Sequence, residues 1–188
     1  MSYFPAFIKL DNKKILLVGG GNIAYEKLTK LLDFTQNIEI ISLDFSVEIL
    51  QLIKKHQLSF SKRQYEVGDI KDVAIVVVAV DDIEVQKEIY EESQNFKCLC
   101  NAVDSVEYCD FIFPSYIKKD DLTIAISTSG ASPSFAKYFR TYLEGVIPNG
   151  MSEFLKELKA LRTALPKGKE RMKLLDEKVK KFFIDTKE

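Results

Sequence analysis

The apolar run from Lys14 to Val18 ends at Gly19-Gly20-Gly21, and beyond it Asn22 to Asp33 places Ile23, Leu28, Leu31 and Leu32 at roughly helical spacing. A strand that passes through three glycines straight into a helix leaves few folds open. A second β-like run, Ile38 to Ser42, follows at once, so the first 42 residues read as a βαβ unit whose strands are apolar on both faces. Strands of that kind pair in parallel, inside a sheet covered by helices on both sides.

The alternation continues with a helix around Ser46 to His56, a weak strand near Ser59 to Arg63, and the strongly apolar run Ala74 to Val80. A helix over Ile83 to Ser93 and a short strand over Lys97 to Asn101 complete it. The series predicts an α/β fold, a Rossmann-type doubly wound parallel sheet with Ala74 to Val80 as a central strand. After Pro114 the pattern changes: Leu122 to Thr128 alternates like a half-buried strand, and Ser134 to Glu144 supplies a helix just after Pro133. From Met151 onward the chain reads as helix, with Phe154, Leu158, Leu161 and Leu165 on one stripe and Met172, Leu175, Val179 and Phe182 on the next, parted by Pro166-Lys167-Gly168. The expected organisation is a dinucleotide-binding domain over 1–113, a small dimerisation segment over 114–147 and a C-terminal helical domain over 148–188.

The glycines fit a chemical pattern as well as a structural one. Gly19 to Ala24 matches G-x-G-x-x-A, in which Gly19 permits a tight turn and Gly21 lets backbone N–H groups approach a pyrophosphate at the helix N-terminus. Asp44 stands just past the second strand, where a carboxylate can accept the ribose hydroxyls of NAD and repel the extra phosphate of NADP. No Lys or Arg lies between Asn37 and Gln51, so NAD is the expected cofactor. A purely structural alternative has the glycines admitting only close helix packing and Asp44 capping the helix near Ser46. A P-loop does not fit, because no Gly-Lys-Ser/Thr triplet follows the glycines.

Asn101 and Asp104 fall at the carboxyl end of a strand, the edge of an open α/β sheet where ligands sit, and Asp104 is a candidate general base there. A turn or cap role is the competing reading for Asp104, and is the favoured one for Asp81 and Asp82. His56, beside Lys54 and Lys55, reads as solvent-exposed. The hydroxyl-rich stretch Ser127 to Gly130 fits either a helix cap or a site for substrate carboxylates.

With 27 Lys plus Arg against 28 Asp plus Glu, the net charge of −1 offers no basic field for nucleic acid or an anionic membrane. The three cysteines, Cys98, Cys100 and Cys109, match no zinc spacing, so no metal site and a reducing, cytoplasmic setting are expected. Met1 to Asp11 lacks the features of a signal peptide, and no apolar stretch reaches the roughly 20 residues of a membrane span.

In its motifs the chain resembles the sirohaem synthase dehydrogenase module, found as stand-alone precorrin-2 dehydrogenases and as the N-terminal part of larger sirohaem synthases. The resemblance is carried by Phe4-Pro5-Ala6-Phe7, by Val18 to Ala24 with Lys27, and by Ala79-Val80-Asp81-Asp82. It continues through Cys100 to Asp104, Phe111 to Ser115, and Ile126 to Pro133. It implies NAD-dependent oxidation of precorrin-2 to sirohydrochlorin by a homodimer, with insertion of ferrous iron as a further activity in some relatives. It also implies a catalytic role for Asp104 and cofactor contacts at Asn22, Ile23, Leu43, Asp44 and Val80, beside Gly19 and Gly21. Thr128 stands where some relatives have Ser. Neither a C-terminal methyltransferase domain nor methylation of uroporphyrinogen is expected. Lys118, Lys119, Lys137 and Arg140 would either hold substrate carboxylates or form a solvated face. A reading from a different class is a non-catalytic NAD-sensing regulator on the same frame, which would need no acid at Asp104.

Overall fold

The computed structural model describes residues 3–185, which form two compact units, Tyr3–Ile112 and a second beginning at Phe113. In the first, β1 (Ile15–Val18), α1 (Asn22–Leu32), β2 (Ile38–Ser42), α2 (Val47–His56), β3 (Ser59–Lys62), β4 (Ile75–Val78), α3 (Ile83–Phe96) and β5 (Leu99–Ala102) alternate along the chain. The five strands pair in the order β3-β2-β1-β4-β5, every pair parallel. In register, Val18 lies beside Ile41 on one side and Val78 on the other, and Val78 beside Ala102. The carboxyl ends of these strands therefore finish level, and one edge of the sheet collects everything that follows them.

Burial explains why these segments are strands. All four residues of β1 and of β4 are buried, since helices cover both faces. On one face Leu16, Val18, Val76, Val78, Cys100 and Ala102 pack with Ile89 of α3. α1 buries Ala24, Leu28 and Leu31, one helical stripe. Fully burying a side chain of this size contributes roughly 1.5–3 kcal/mol, so this core holds the sheet edge firmly in place. Lys97, expected at the start of β5, instead ends α3 as a left-handed cap (φ 54°), its N–H donating to the Ser93 carbonyl.

The second unit contains a hairpin, β6 (Ser115–Lys119) and β7 (Leu122–Ile126), followed by α4 (Pro133–Val146), α5 (Met151–Ala164) and α6 (Lys169–Asp185). β6 has no counterpart in the sequence reading. Its mixed residues become a strand through antiparallel pairing with β7, across a turn in which Asp120 adopts φ 50°. Ser132 caps α4 by accepting from the Phe135 N–H at 3.1 Å, with Pro133 opening the helix. The rings of Phe154 and Phe182 stack at 4.1 Å and join α5 to α6, and Lys178 bonds Glu157 at 2.6 Å. Met172, expected on the apolar stripe of α6, is 70% exposed. Among the described residues no helix is long and apolar enough to cross a membrane.

Candidate functional site

At the carboxyl edge of the sheet the three glycines do three different jobs. Gly19 has φ 130°, and a Cβ there would lie 2.3 Å from the Ala79 carbonyl oxygen, so only glycine lets the turn pass against the segment leaving β4. Gly20, the variable position of the motif, is as tightly bound. A Cβ on it would lie 1.9 Å from the Asp44 carbonyl oxygen, and its own carbonyl accepts from the Ser46 N–H at 2.8 Å. Gly21 is the opposite case: a Cβ there would meet nothing within 4 Å. Its backbone is extended, at φ −93° and ψ −166°, and α1 begins behind it with no side-chain cap. The neighbouring helices α2 and α3 are capped by Ser46 and Asp82. Open space before a helix N-terminus that no side chain caps fits a pyrophosphate.

Leu43 and Asp44 follow β2, and the Ser42 hydroxyl fixes this turn by donating to the Asp44 carbonyl at 2.7 Å. Ser46, not Asp44, caps α2, accepting from Ile49 N–H at 3.3 Å, so the capping alternative for Asp44 fails. The expectation that no cation lies near Asp44 also needs correcting. None is close in sequence, but the β2–β3 register sets Lys62 beside Ser42, and the Lys62 Nζ lies 3.0 Å from Asp44 Oδ1.

Beyond β4 and β5 one buried side chain ties the two exits together. Gln86 of α3 donates through Nε2 to the carbonyls of Val80 (2.7 Å) and Val103 (3.3 Å), and its Oε1 accepts from the Ser105 hydroxyl. These contacts bracket Asp104, an exposed residue in the left-handed region at φ 64° that Asp and Asn adopt more readily than other side chains. Asn101 is buried and donates to the Phe111 carbonyl at 2.8 Å, which gives it a structural role, whereas Asp104 faces solvent in the first turn after β5. Lys27, whose side chain is only 15% exposed, lies in the field of Asp104. Burial first, and then Lys30, hold its ammonium below the usual lysine range, against the opposing pull of Glu26, Asp104 and Cys109.

Asp82 caps α3, as expected, bonding the N–H groups of Glu84 and Val85 at 3.0 and 3.3 Å. His56, expected to be exposed, is half-buried in the last turn of α2. Burial pushes the Cys98 thiol up to about 11 and Cys100 to about 12, so both are neutral and unreactive. No cluster of His, Cys, Asp and Glu able to hold a metal occurs among the described residues. In the second unit Thr128 Oγ1 accepts from the Ser132 N–H at 3.1 Å, so this hydroxyl braces the turn that Ser132 uses to cap α4. Arg140 is paired with Glu144 at 2.9 Å, while Lys118, Lys119 and Lys137 are exposed.

A five-stranded parallel sheet with β1 at its centre, a glycine turn opening on an uncapped helix and a carboxylate past β2 define a dinucleotide-binding protein of the Rossmann class. Residues 6–115 match the NAD(P)-binding family NAD_binding_7, and the chain belongs to that family. It is 32% identical over 148 residues to a siroheme synthase of Mannheimia succiniciproducens, covering 79% of this chain and 31% of that protein. It is 34% identical over 153 residues to siroheme synthase 2 of Pectobacterium atrosepticum, covering 81% and 33%. The chain thus spans about a third of the length of these curated relatives. Among solved structures, SirC, a precorrin-2 dehydrogenase, matches with a TM-score of 0.79 and 27% identity over 93% of this chain and 88% of that one.

Proposed function

We propose that this chain is an NAD-dependent precorrin-2 dehydrogenase, oxidising precorrin-2 to sirohydrochlorin in sirohaem biosynthesis. The observation that carries the reading is the exposed carboxylate of Asp104 on the sheet edge that also bears the open glycine turn, in a chain similar over nearly its whole length to SirC. In this reading Gly19, Gly21, Asn22 and Ile23 hold the pyrophosphate, Leu43 and Asp44 the adenosine ribose, and Val80 lines the cofactor on the β4 side. NAD, when bound, supplies the hydride acceptor. Removing two hydrogens from a macrocycle then requires one more group, a base for the accompanying proton, and Asp104 fills that role. Gln86 holds the residues on either side of it, through the Val103 carbonyl and the Ser105 hydroxyl, so the carboxylate is presented without having to be recruited.

The same reading makes the protein a homodimer. α4 leaves Phe135, Tyr138, Phe139 and Tyr142 exposed, with Phe139 stacked between Phe135 (5.6 Å) and Tyr142 (6.2 Å), and a continuous aromatic strip of this kind is suited to a second copy. Three free, protonated cysteines agree with a reducing compartment, the cytoplasm.

The test is an anaerobic assay of the purified protein with precorrin-2 and NAD, following NADH and sirohydrochlorin together. Stoichiometric appearance of both is expected. NAD binding with no turnover would replace this reading with that of an NAD-sensing regulator. Adding ferrous iron to the same assay reads out metal insertion as sirohaem formed above the uncatalysed rate.

A further inference from the structure

We infer that Lys62, on the edge strand β3, sets how strongly the site discriminates against a 2′-phosphate, and therefore how far NAD is preferred to NADP. The inference rests on the dinucleotide-binding part of the reading above and needs nothing from its chemistry. Parallel pairing puts Lys62 level with Ser42, the last residue of β2, and its ammonium stands 3.0 Å from Asp44 Oδ1. Both side chains are open to solvent, 66% exposed for Lys62 and 89% for Asp44. A pair this exposed is weak, so either partner can turn to a ligand at little cost.

The neighbouring cation is committed elsewhere. Arg63 makes two 2.7 Å hydrogen bonds to the carboxylate of Asp69 and a third, of 2.9 Å, to the Gln64 carbonyl. Lys62 is thus the cation placed to meet charge arriving at Asp44. Gly20 and Ser42 fix the Asp44 backbone, so the carboxylate stays anchored at this edge of the sheet.

The two cofactors meet this arrangement differently. A ribose with free hydroxyls donates to Asp44, and Lys62 remains paired with the same carboxylate. A 2′-phosphate brings negative charge against Asp44, and the Lys62 ammonium offsets the repulsion by turning to the phosphate oxygens. Asp44 disfavours NADP and Lys62 moderates that disfavour. The outcome is preference for NAD by a margin narrower than a lone carboxylate would give.

The test is titration of the full-length protein without substrate, using NADH and NADPH with their fluorescence as the signal. Wild type, Lys62→Ala, Lys62→Met and Asp44→Asn are compared. Both Lys62 variants should weaken NADPH by about tenfold and leave NADH within about threefold. Asp44→Asn should bring NADPH level with NADH or above it. Raising the salt concentration should shrink the Lys62 effect on NADPH alone. An NADH-to-NADPH affinity ratio in both Lys62 variants within about twofold of wild type overturns the inference while leaving dinucleotide binding intact. If wild type binds neither nucleotide, the dinucleotide reading itself falls and the inference with it.

Discussion

β1 and β4 are buried along their whole length between helices of their own unit, whereas in the unit that begins at Phe113 only Ile117 and Ala136 are buried among the apolar residues described. α5 buries none of its residues completely, and α4 keeps four aromatic rings in solvent. The contrast separates two uses of apolar side chains. In the sheet unit they close a core whose product is a rigid edge. In the helical unit they form surfaces, and a surface of that composition gains most from a second chain.

The proposed chemistry can be removed from the sheet edge without disturbing the edge itself. Asp104→Asn keeps a residue suited to φ 64° and removes the proposed proton acceptor, so turnover should fall by about 10²–10⁴-fold while NAD still binds. A single-turnover rate within a few-fold of the parent would take Asp104 out of the mechanism.

Adjacent glycines separate folding from binding. Gly21→Val places its side chain in open space, so the protein should fold with an unchanged melting temperature yet lose NAD affinity by about a hundredfold in calorimetric titration. Gly20→Ala reverses the pattern. Its methyl group meets the Asp44 carbonyl, so stability to urea should drop by about 1–3 kcal/mol. Equal effects of the two substitutions on folding would contradict the division of labour in the turn.

For the helical unit, Phe139→Asp should turn a dimer into a monomer at micromolar concentration in sedimentation equilibrium. The variant's NAD affinity should stay within a few-fold of wild type, because the residues proposed to hold the phosphates and ribose belong to the sheet unit. A wild-type monomer would end the dimer proposal.

The smallest effect concerns Asp69, whose carboxyl is held below its ordinary range by the Arg63 hydrogen bonds, against the opposing influence of burial. A folded-state pKa below the unfolded one contributes stability that is complete above the unfolded value, about 3.9, and is lost as pH falls through the folded value. Asp69→Asn should therefore cost about 1 kcal/mol in urea titrations at neutral pH, and the gap to wild type should close below about pH 4. A gap independent of pH would assign the loss to packing.

Much of the sheet unit was legible because its signals are local. An apolar run, a glycine turn and a helical stripe lie within the span from Lys14 to Leu32, and Asp82 sits next to the helix it caps. What escaped depends on pairing across the sequence. Gln86 looks like any polar helix residue until the exits of β4 and β5 are brought to it, and Lys62 meets Asp44 only through the register of an edge strand. Gly20 escaped for another reason: the motif leaves its position free, whereas the close approach of Asp44 does not. β6 escaped because strands of mixed polarity are defined by their partner.

The contact at Gly20 also bears on how such a protein can change over generations. With the turn after β1 and the turn after β2 touching where a methyl group would go, an insertion or bulkier backbone path between Ser42 and Ser46 disturbs the glycine turn as well. Variation in that loop is therefore penalised twice. The exposed tip of β3 carries no such constraint, and single replacements at position 62 leave both turns as they are. On the proposed role of Lys62, the margin between the two nicotinamide cofactors can thus be retuned from the edge strand, without touching the glycines by which the site is first noticed.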